Sequence, residues 1–230
     1  MSDGREAAGL MASPAALITP LSRDTLQDKV HRQLCDLILD GRLPPGETIT
    51  IHGLADAFGV SPMPVREALK RLTAANALTI VSGRSVGIPR LSRDRLTDLR
   101  NVRLEIEALA AGWGVARATP ADVEAAAGHL AAVEAAAAAG DLKGYLRGNR
   151  ALHFAIYRAS GSEILLRIIE DLWLQISPYF HKLHASYAIA NTHHREMVEA
   201  LAAGDAAAVR AALRADIEAA YHSLMPQLGP

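Results

Sequence analysis

The segment Gly59-Val60-Ser61-Pro62-Met63-Pro64 constrains this chain more than any other, because it forces one helix to stop and another to start almost at once. Gly59 closes a short helix whose apolar face is Ile51, Leu54, Ala55 and Phe58, at i, i+3, i+4, i+7 spacing. Ser61 is placed to cap the next. Pro62 and Pro64 fall in its first turn, where the amides they lack would find no intrahelical partner in any case. Val65, Leu69 and Leu72 then share one face, leaving Met63, Arg66, Glu67, Lys70 and Arg71 on or near the other.

The flanks extend this unit. Upstream, Val30, Leu34, Leu37 and Ile38 mark a helix that Gly41 ends, ahead of Leu43-Pro44-Pro45-Gly46. Downstream of Asn76 the pattern changes to Leu78-Thr79-Ile80-Val81, a Ser82-Gly83-Arg84 turn, and Ser85-Val86-Gly87-Ile88, which predicts a small hairpin. Three short helices and a hairpin over residues 22–90 match a winged helix-turn-helix, whose second turn helix enters the DNA major groove while the hairpin flanks it. A basic face of Arg66, Lys70 and Arg71, with Arg84 at the hairpin tip, suits a phosphate backbone or an adjacent minor groove. Taken singly, Arg66 and Lys70 read better as solvated side chains. The ordered set of elements favours DNA.

Residues 91–230 are rich in Ala, Leu and Glu and show helical periodicity without a convincing strand. The spacing predicts helices over 93–117, 120–138, 141–159, 162–184, 187–203 and 205–224, with Pro178 kinking or splitting the fourth. The fold class is therefore mainly α: an N-terminal winged helix-turn-helix and a C-terminal all-α helical bundle. Residues 1–21, small, polar and broken by prolines, read as a disordered lead-in.

Charge adds little. The chain of 230 residues carries 24 Lys and Arg against 25 Asp and Glu, so no global field draws it to nucleic acid or membrane. Locally, nine basic and seven acidic side chains lie in 22–90, and fourteen and sixteen in 91–230. The single Cys35 forms no internal disulfide and reads as a small buried hydrophobe. With no long uninterrupted apolar run, a cytoplasmic location and no membrane partner are expected.

In the helical half, four polar side chains fall on apolar faces, where they are costly unless they bind something. Asn149 and His153 share a face with Leu146, Leu152 and Ile156; His194 lines up with Met197, Val198 and Leu201; Asp216 sits beside Val209, Leu213 and Ala220. They could form a satisfied hydrogen-bond network, line an organic ligand's cavity, or hold a metal. Trp113 and Trp173 read as core, and His181, His184 and His193 as unrelated surface or core positions.

The runs Leu43-Pro44-Pro45-Gly46, Leu54-Ala55-Asp56-Ala57-Phe58-Gly59-Val60-Ser61 and Pro64-Val65-Arg66-Glu67-Ala68-Leu69-Lys70-Arg71-Leu72 resemble the GntR family of transcription regulators. The helical remainder, with Arg103 and Glu107 four apart, Asn149…His153 and His194, is similar to the FCD effector domain of that family's FadR branch. The resemblance implies a homodimer on a double-stranded DNA operator, responding to a small carboxylate effector, with Arg66 at the DNA and Ser61 on a phosphate. Family members commonly carry Ser-Arg-Thr ahead of Pro-Val-Arg-Glu, and the Arg reads a base edge. Here Ser61-Pro62-Met63 stands instead, so a bidentate contact worth about 1–3 kcal/mol of discrimination is lost and a different operator is expected.

The resemblance also implies a divalent metal, held in the family by an Asp and a His four apart, a third-helix His and a last-helix His. Asn149 and Asp216 replace the first and last of these. Two imidazoles, one carboxylate and one amide oxygen still suit zinc, nickel or manganese. Arg103 and Arg150 are candidates to clamp the effector carboxylate, although Arg103 could equally pair with Glu107. An alternative is a metal-dependent enzyme using His153, His194 and Asp216, but no general acid or base stands out and the first 90 residues would go unexplained; no catalysis is expected.

Overall fold

A computed structural model describes residues 25–83 and 85–228, with only the backbone of 184–189. The lead-in over 1–21 and the Arg84 tip lie outside the described residues, as does the His184 side chain. α1 (Leu26–Leu39) starts at a capping box in which Thr25 and Asp28 satisfy each other's backbone amides, and buries Val30, Leu34 and Ile38. β1 (Thr48–Thr50) leads into α2 (Ile51–Phe58), which ends on Gly59 in the left-handed conformation at φ 65°. α3 (Pro62–Ala74) packs Val65, Ala68, Leu69 and Leu72 against α1 and α2.

β2 (Thr79–Ser82) and β3 (Ser85–Gly87) form the expected hairpin, and β1 adds to it antiparallel in the order β1-β3-β2. Three residues of Thr-Ile-Thr are too short to show alternation, so β1 escapes a reading of periodicity. Gly87 lets the strands close: a Cβ there would stand 2.6 Å from the Glu47 carbonyl oxygen.

The helical half runs α4 (Arg93–Arg117), α5 (Pro120–Ala139), α6 (Leu142–Ala159), α7 (Glu163–Ile176), a 3-10 segment over Ser177–Ser186, α8 (Tyr187–Ala203) and α9 (Ala206–Leu224). Pro178 splits the fourth predicted helix: it has no amide for the Leu174 carbonyl and its ring would strike that group, so the helix ends at Ile176. α4 lies against α9, α6 and α7, and α5 against α6 and α8, around Leu152, Ile156, Tyr157, Ile169, Met197 and Leu213. Gly114 permits the close approach of α4 to α6, since a Cβ there would meet the Ile156 carbonyl at 2.5 Å.

Three expectations about single residues need revision. Ser61 occupies the N-cap of α3 but makes no side-chain capping bond, because the third helical position is Pro64 and has no amide to donate. Trp113 is 40% exposed beneath the Arg117 guanidinium and is not core. Cys35 is half-buried near His31, and burial pushes its thiol up to about 11, so it stays an inert thiol.

Candidate functional site

Two places gather the residues singled out by sequence. The first is the exposed face of α3. Met63, Arg66 and Lys70 are exposed there, beside a groove floored by Leu69 and Thr73 and walled by Ile80, Ser82 and Gly83 of the hairpin. Lys70 pairs with Glu67 at 2.7 Å, one turn away, whereas Arg66 makes no ion pair among the described residues. Arg71 points elsewhere: its guanidinium meets Asp28 of α1 at 2.8 Å. Residue spacing alone could not separate it from Arg66, because the acid that engages it comes from another helix. With Pro62 and Pro64 in the first turn, only the Ser61 and Met63 amides remain among the four that normally point out of a helix start. The Ser61 hydroxyl, released from capping, is exposed beside them.

The second is a pocket in the helical half with about 520 Å³ of empty space, part of it open to solvent, walled by α4, α6, α7, α8, α9 and the segment between α7 and α8. His153 and His194 are buried and Asp216 nearly so. The His153 and His194 Nε2 atoms lie 3.3 Å apart, and Asp216 stands 3.5 Å from the first and 3.6 Å from the second. Three helices, α6, α8 and α9, thus bring three ligand atoms to one point. Asn149 lines the same cavity one turn before His153.

Behind His153 runs a chain of donors of which sequence reading saw only the Arg103–Glu107 pair. Arg103 donates from Nε to Glu107 Oε1 at 2.5 Å, Tyr157 donates its hydroxyl proton to Glu107 Oε2 at 2.5 Å, and His153 Nδ1 stands 3.0 Å from the Tyr157 oxygen. A carboxylate paired with Arg103 only accepts, so the Tyr157 proton goes to Glu107 and His153 Nδ1 must donate. That fixes the His153 tautomer with a lone pair on Nε2, facing His194 and Asp216. The signal for Tyr157 was present as a tyrosine one turn after His153, but nothing local marks it as more than core.

Burial governs the charges. It holds His153 well below its usual value and His194 down at about 4, and lifts Asp216 up to about 7. Burial also works against the Arg103 charge, but the Glu107 carboxylate, by charge and hydrogen bond, outweighs it and keeps the guanidinium protonated. Arg103 is stacked over Trp173 and Phe180, at 5.6 and 5.8 Å from their ring centres. Arg103 thus pairs with Glu107 and also lines the cavity.

Arg150 does not join them. Its guanidinium leaves the cavity and meets Asp36 at 3.2 Å and Asp40 at 3.8 Å, on α1 and its C-cap. His181 is tied to the Pro178 carbonyl and His193 to Glu196, and neither belongs to the three clustered ligands.

Residues 98–219 match the FCD domain, and residues 26–88 match bacterial regulatory proteins of the gntR family. The chain belongs to the gntR family. It is 33% identical to the HTH-type transcriptional regulator McbR of Escherichia coli (strain K12), over 76% of this chain and 77% of that one. The HTH-type transcriptional repressor GlaR of the same organism is 30% identical over 62% of this chain and 67% of its own length. The solved structure of E. coli McbR/YncC superposes with a TM-score of 0.83 at 29% identity, covering 89% of this chain and 99% of that one. As a gntR-family member with an FCD effector-binding domain, the protein is a DNA-binding transcription regulator. The reading as a metal-dependent enzyme finds no support, the matched relatives being regulators. Among the described residues no helix is long and apolar enough to cross a membrane.

Proposed function

We propose that this regulator works as a cytoplasmic homodimer without catalytic activity, and that its operator affinity changes when a small carboxylate enters the helical cavity beside a divalent metal. The observation that carries the metal is the ligand triangle. Edges of 3.3, 3.5 and 3.6 Å are close to the ~3.3 Å separating ligands bonded at about 2.0–2.1 Å around tetrahedral zinc. Tyr157 keeps the His153 lone pair turned inward, as a partner behind a metal-binding imidazole does. A cation would also relieve the unfavourable Asp216 charge. Zinc, nickel or manganese suits His153, His194 and Asp216 with Asn149 as a weaker fourth ligand; the bound metal would supply a Lewis-acidic position for the effector carboxylate.

At the DNA, Arg66, Lys70 and the Ser61 hydroxyl would meet phosphates, and exposed Met63 would offer apolar contact to a thymine methyl in place of a guanine-reading Arg. Two-fold pairing is supported by α4, where Val102, Ile106, Leu109 and Trp113 form an apolar stripe at heptad spacing; three of the four are 38–40% exposed.

Metal analysis of protein purified after zinc, nickel or manganese supplementation tests the centre. One ion per chain, lost in His153→Ala, is the expected result; an empty wild type overturns the metal reading. Binding to the promoter upstream of the gene, with and without a panel of carboxylates, tests regulation. No carboxylate should be turned over.

A further inference from the structure

The cavity that would take the effector is lined by two unlike kinds of group. Arg103 has spent Nε and Nη2 on Glu107, while its Nη1 makes no hydrogen bond among the described residues. Beside it, the Trp173 indole Nε1 is buried without an acceptor, in a side chain only 1% exposed. A buried N–H left unpaired costs free energy that a ligand oxygen would recover. Two residues with a donor to spare, one charged and one neutral, therefore line the same space from α4 and α7, together with Asn149 and His153 of α6.

Much of the remaining wall is apolar. Leu146, Leu183, Ala190, Ala219, Ala220 and the Phe180 ring contribute to it, with Tyr145 and the Asp216 carboxyl as the polar exceptions, and the three alanines leave room where longer side chains would fill it. A sugar acid would bury its hydroxyls against that wall unpaired, and a dicarboxylate would press its second charge there; both are penalised.

We propose that the effector is an apolar-tailed monocarboxylate, its head held by Arg103 Nη1 and Trp173 Nε1 and its tail against Leu146, Leu183 and the alanines. This rests on the reading of the cavity as the effector site, and it adds the chemistry of the ligand. Arg103 comes preoriented, fixed by Glu107 and by the two aromatic rings, so little ordering is required on binding. Trp173 sets specificity for an oxygen acceptor. The alanines set it for tail length.

Titration calorimetry on the full-length, zinc-loaded protein tests this with acetate, butyrate and hexanoate, and with succinate and gluconate. Affinity should rise about fourfold for each methylene added, the increment expected for burying a CH₂ group. Succinate and gluconate should bind more weakly than butyrate. A flat series, or a preference for succinate or gluconate over hexanoate, overturns the proposal. Trp173→Phe keeps the ring under Arg103 and should weaken every monocarboxylate by a common factor of at least five while preserving the per-methylene increment. Ala220→Leu fills the tail end; it should spare acetate and abolish the gain from butyrate to hexanoate, and an unaltered series in this variant also counts against the assignment. Because binding is read without DNA, hexanoate that binds as described but leaves operator affinity unchanged supports the ligand class and refutes only the regulatory role.

Discussion

The Tyr157 hydroxyl and His153 Nδ1 lie 3.0 Å apart on α6, and because Tyr157 gives its proton to Glu107, the imidazole can only be the donor between them. One buried phenol thereby decides which nitrogen of His153 faces the cavity. Tyr157→Phe removes that decision without emptying the core. Zinc affinity should fall by about 10–100-fold, the usual effect of losing a partner behind a metal ligand, measured by competition with a chromophoric chelator. Wild-type affinity in this variant would mean that packing alone orients the ring.

The charges of the cluster give a pH signature in metal-free protein. Asp216 sits at about 7, above its ordinary 3.8, so its contribution to stability is full below 3.8 and is lost as pH rises through 7. His194 sits at about 4, below its ordinary 6.5, so its contribution is full above 6.5 and is lost as pH falls through 4. His153 shifts in the same sense as His194. Urea unfolding in the presence of chelator should therefore show Asp216→Asn gaining stability relative to wild type as pH rises from about 5 to 8. A constant difference across that range would show that Asp216 is not held neutral by burial.

On α3, the cations are expected to separate. Arg66→Ala should lower operator affinity and reduce the slope of log affinity against log salt by about 0.9, the loss of one phosphate contact. Arg71→Ala, whose guanidinium is engaged by Asp28, should leave that slope nearly unchanged. Fluorescence anisotropy over a salt series reads both; equal slope losses would place Arg71 on the DNA as well.

The limits of sequence reading fall where a residue's partner is distant along the chain. α4 and α8 were legible to the residue, because Ser92 caps the one and glycine and small-residue breaks bound the other. The convergence of His153, His194 and Asp216 was legible too, since a polar residue on an apolar helix face is a local signal. The Tyr157–Glu107 link is not local: it joins α6 to α4 across 50 positions. The partners of Arg71 and Arg150 escaped sequence reading for the same reason, each being engaged by an α1 carboxylate 43 and 114 residues away. The Ser61 cap failed on chemistry visible in the sequence, the missing amide of Pro64.

Arg150 links the cavity helix to the DNA-binding half. It follows Asn149 on α6, one side chain facing the cavity and the next clasping Asp36 and Asp40. A ligand shifts DNA affinity only if it favours one arrangement of the two halves, and this clasp is a contact that can differ between arrangements. Arg150→Gln should leave zinc and carboxylate binding within about twofold of wild type and reduce the ligand-induced change in operator affinity. An undiminished change would move the coupling to other contacts, among them the bond from the Tyr179 hydroxyl to the Pro89 carbonyl.

The α4 stripe bears on assembly. Val102, Ile106, Leu109 and Trp113 follow offsets of 4, 3 and 4, which keep one seam on a single face, while the opposite face of α4 is packed on α9, α6 and α7. A charge placed on that seam should separate two copies without disturbing either core, because Leu109 is already 38% exposed. Leu109→Glu is therefore expected to convert a dimer to a monomer in sedimentation equilibrium, with the helical content of wild type. Operator affinity should fall with it, since one winged helix-turn-helix engages one half-site and a dimer engages two. A variant that remains dimeric would place the two-fold interface on another face of the helical half, and a variant that is monomeric with undiminished operator affinity would remove the dimer from the mechanism.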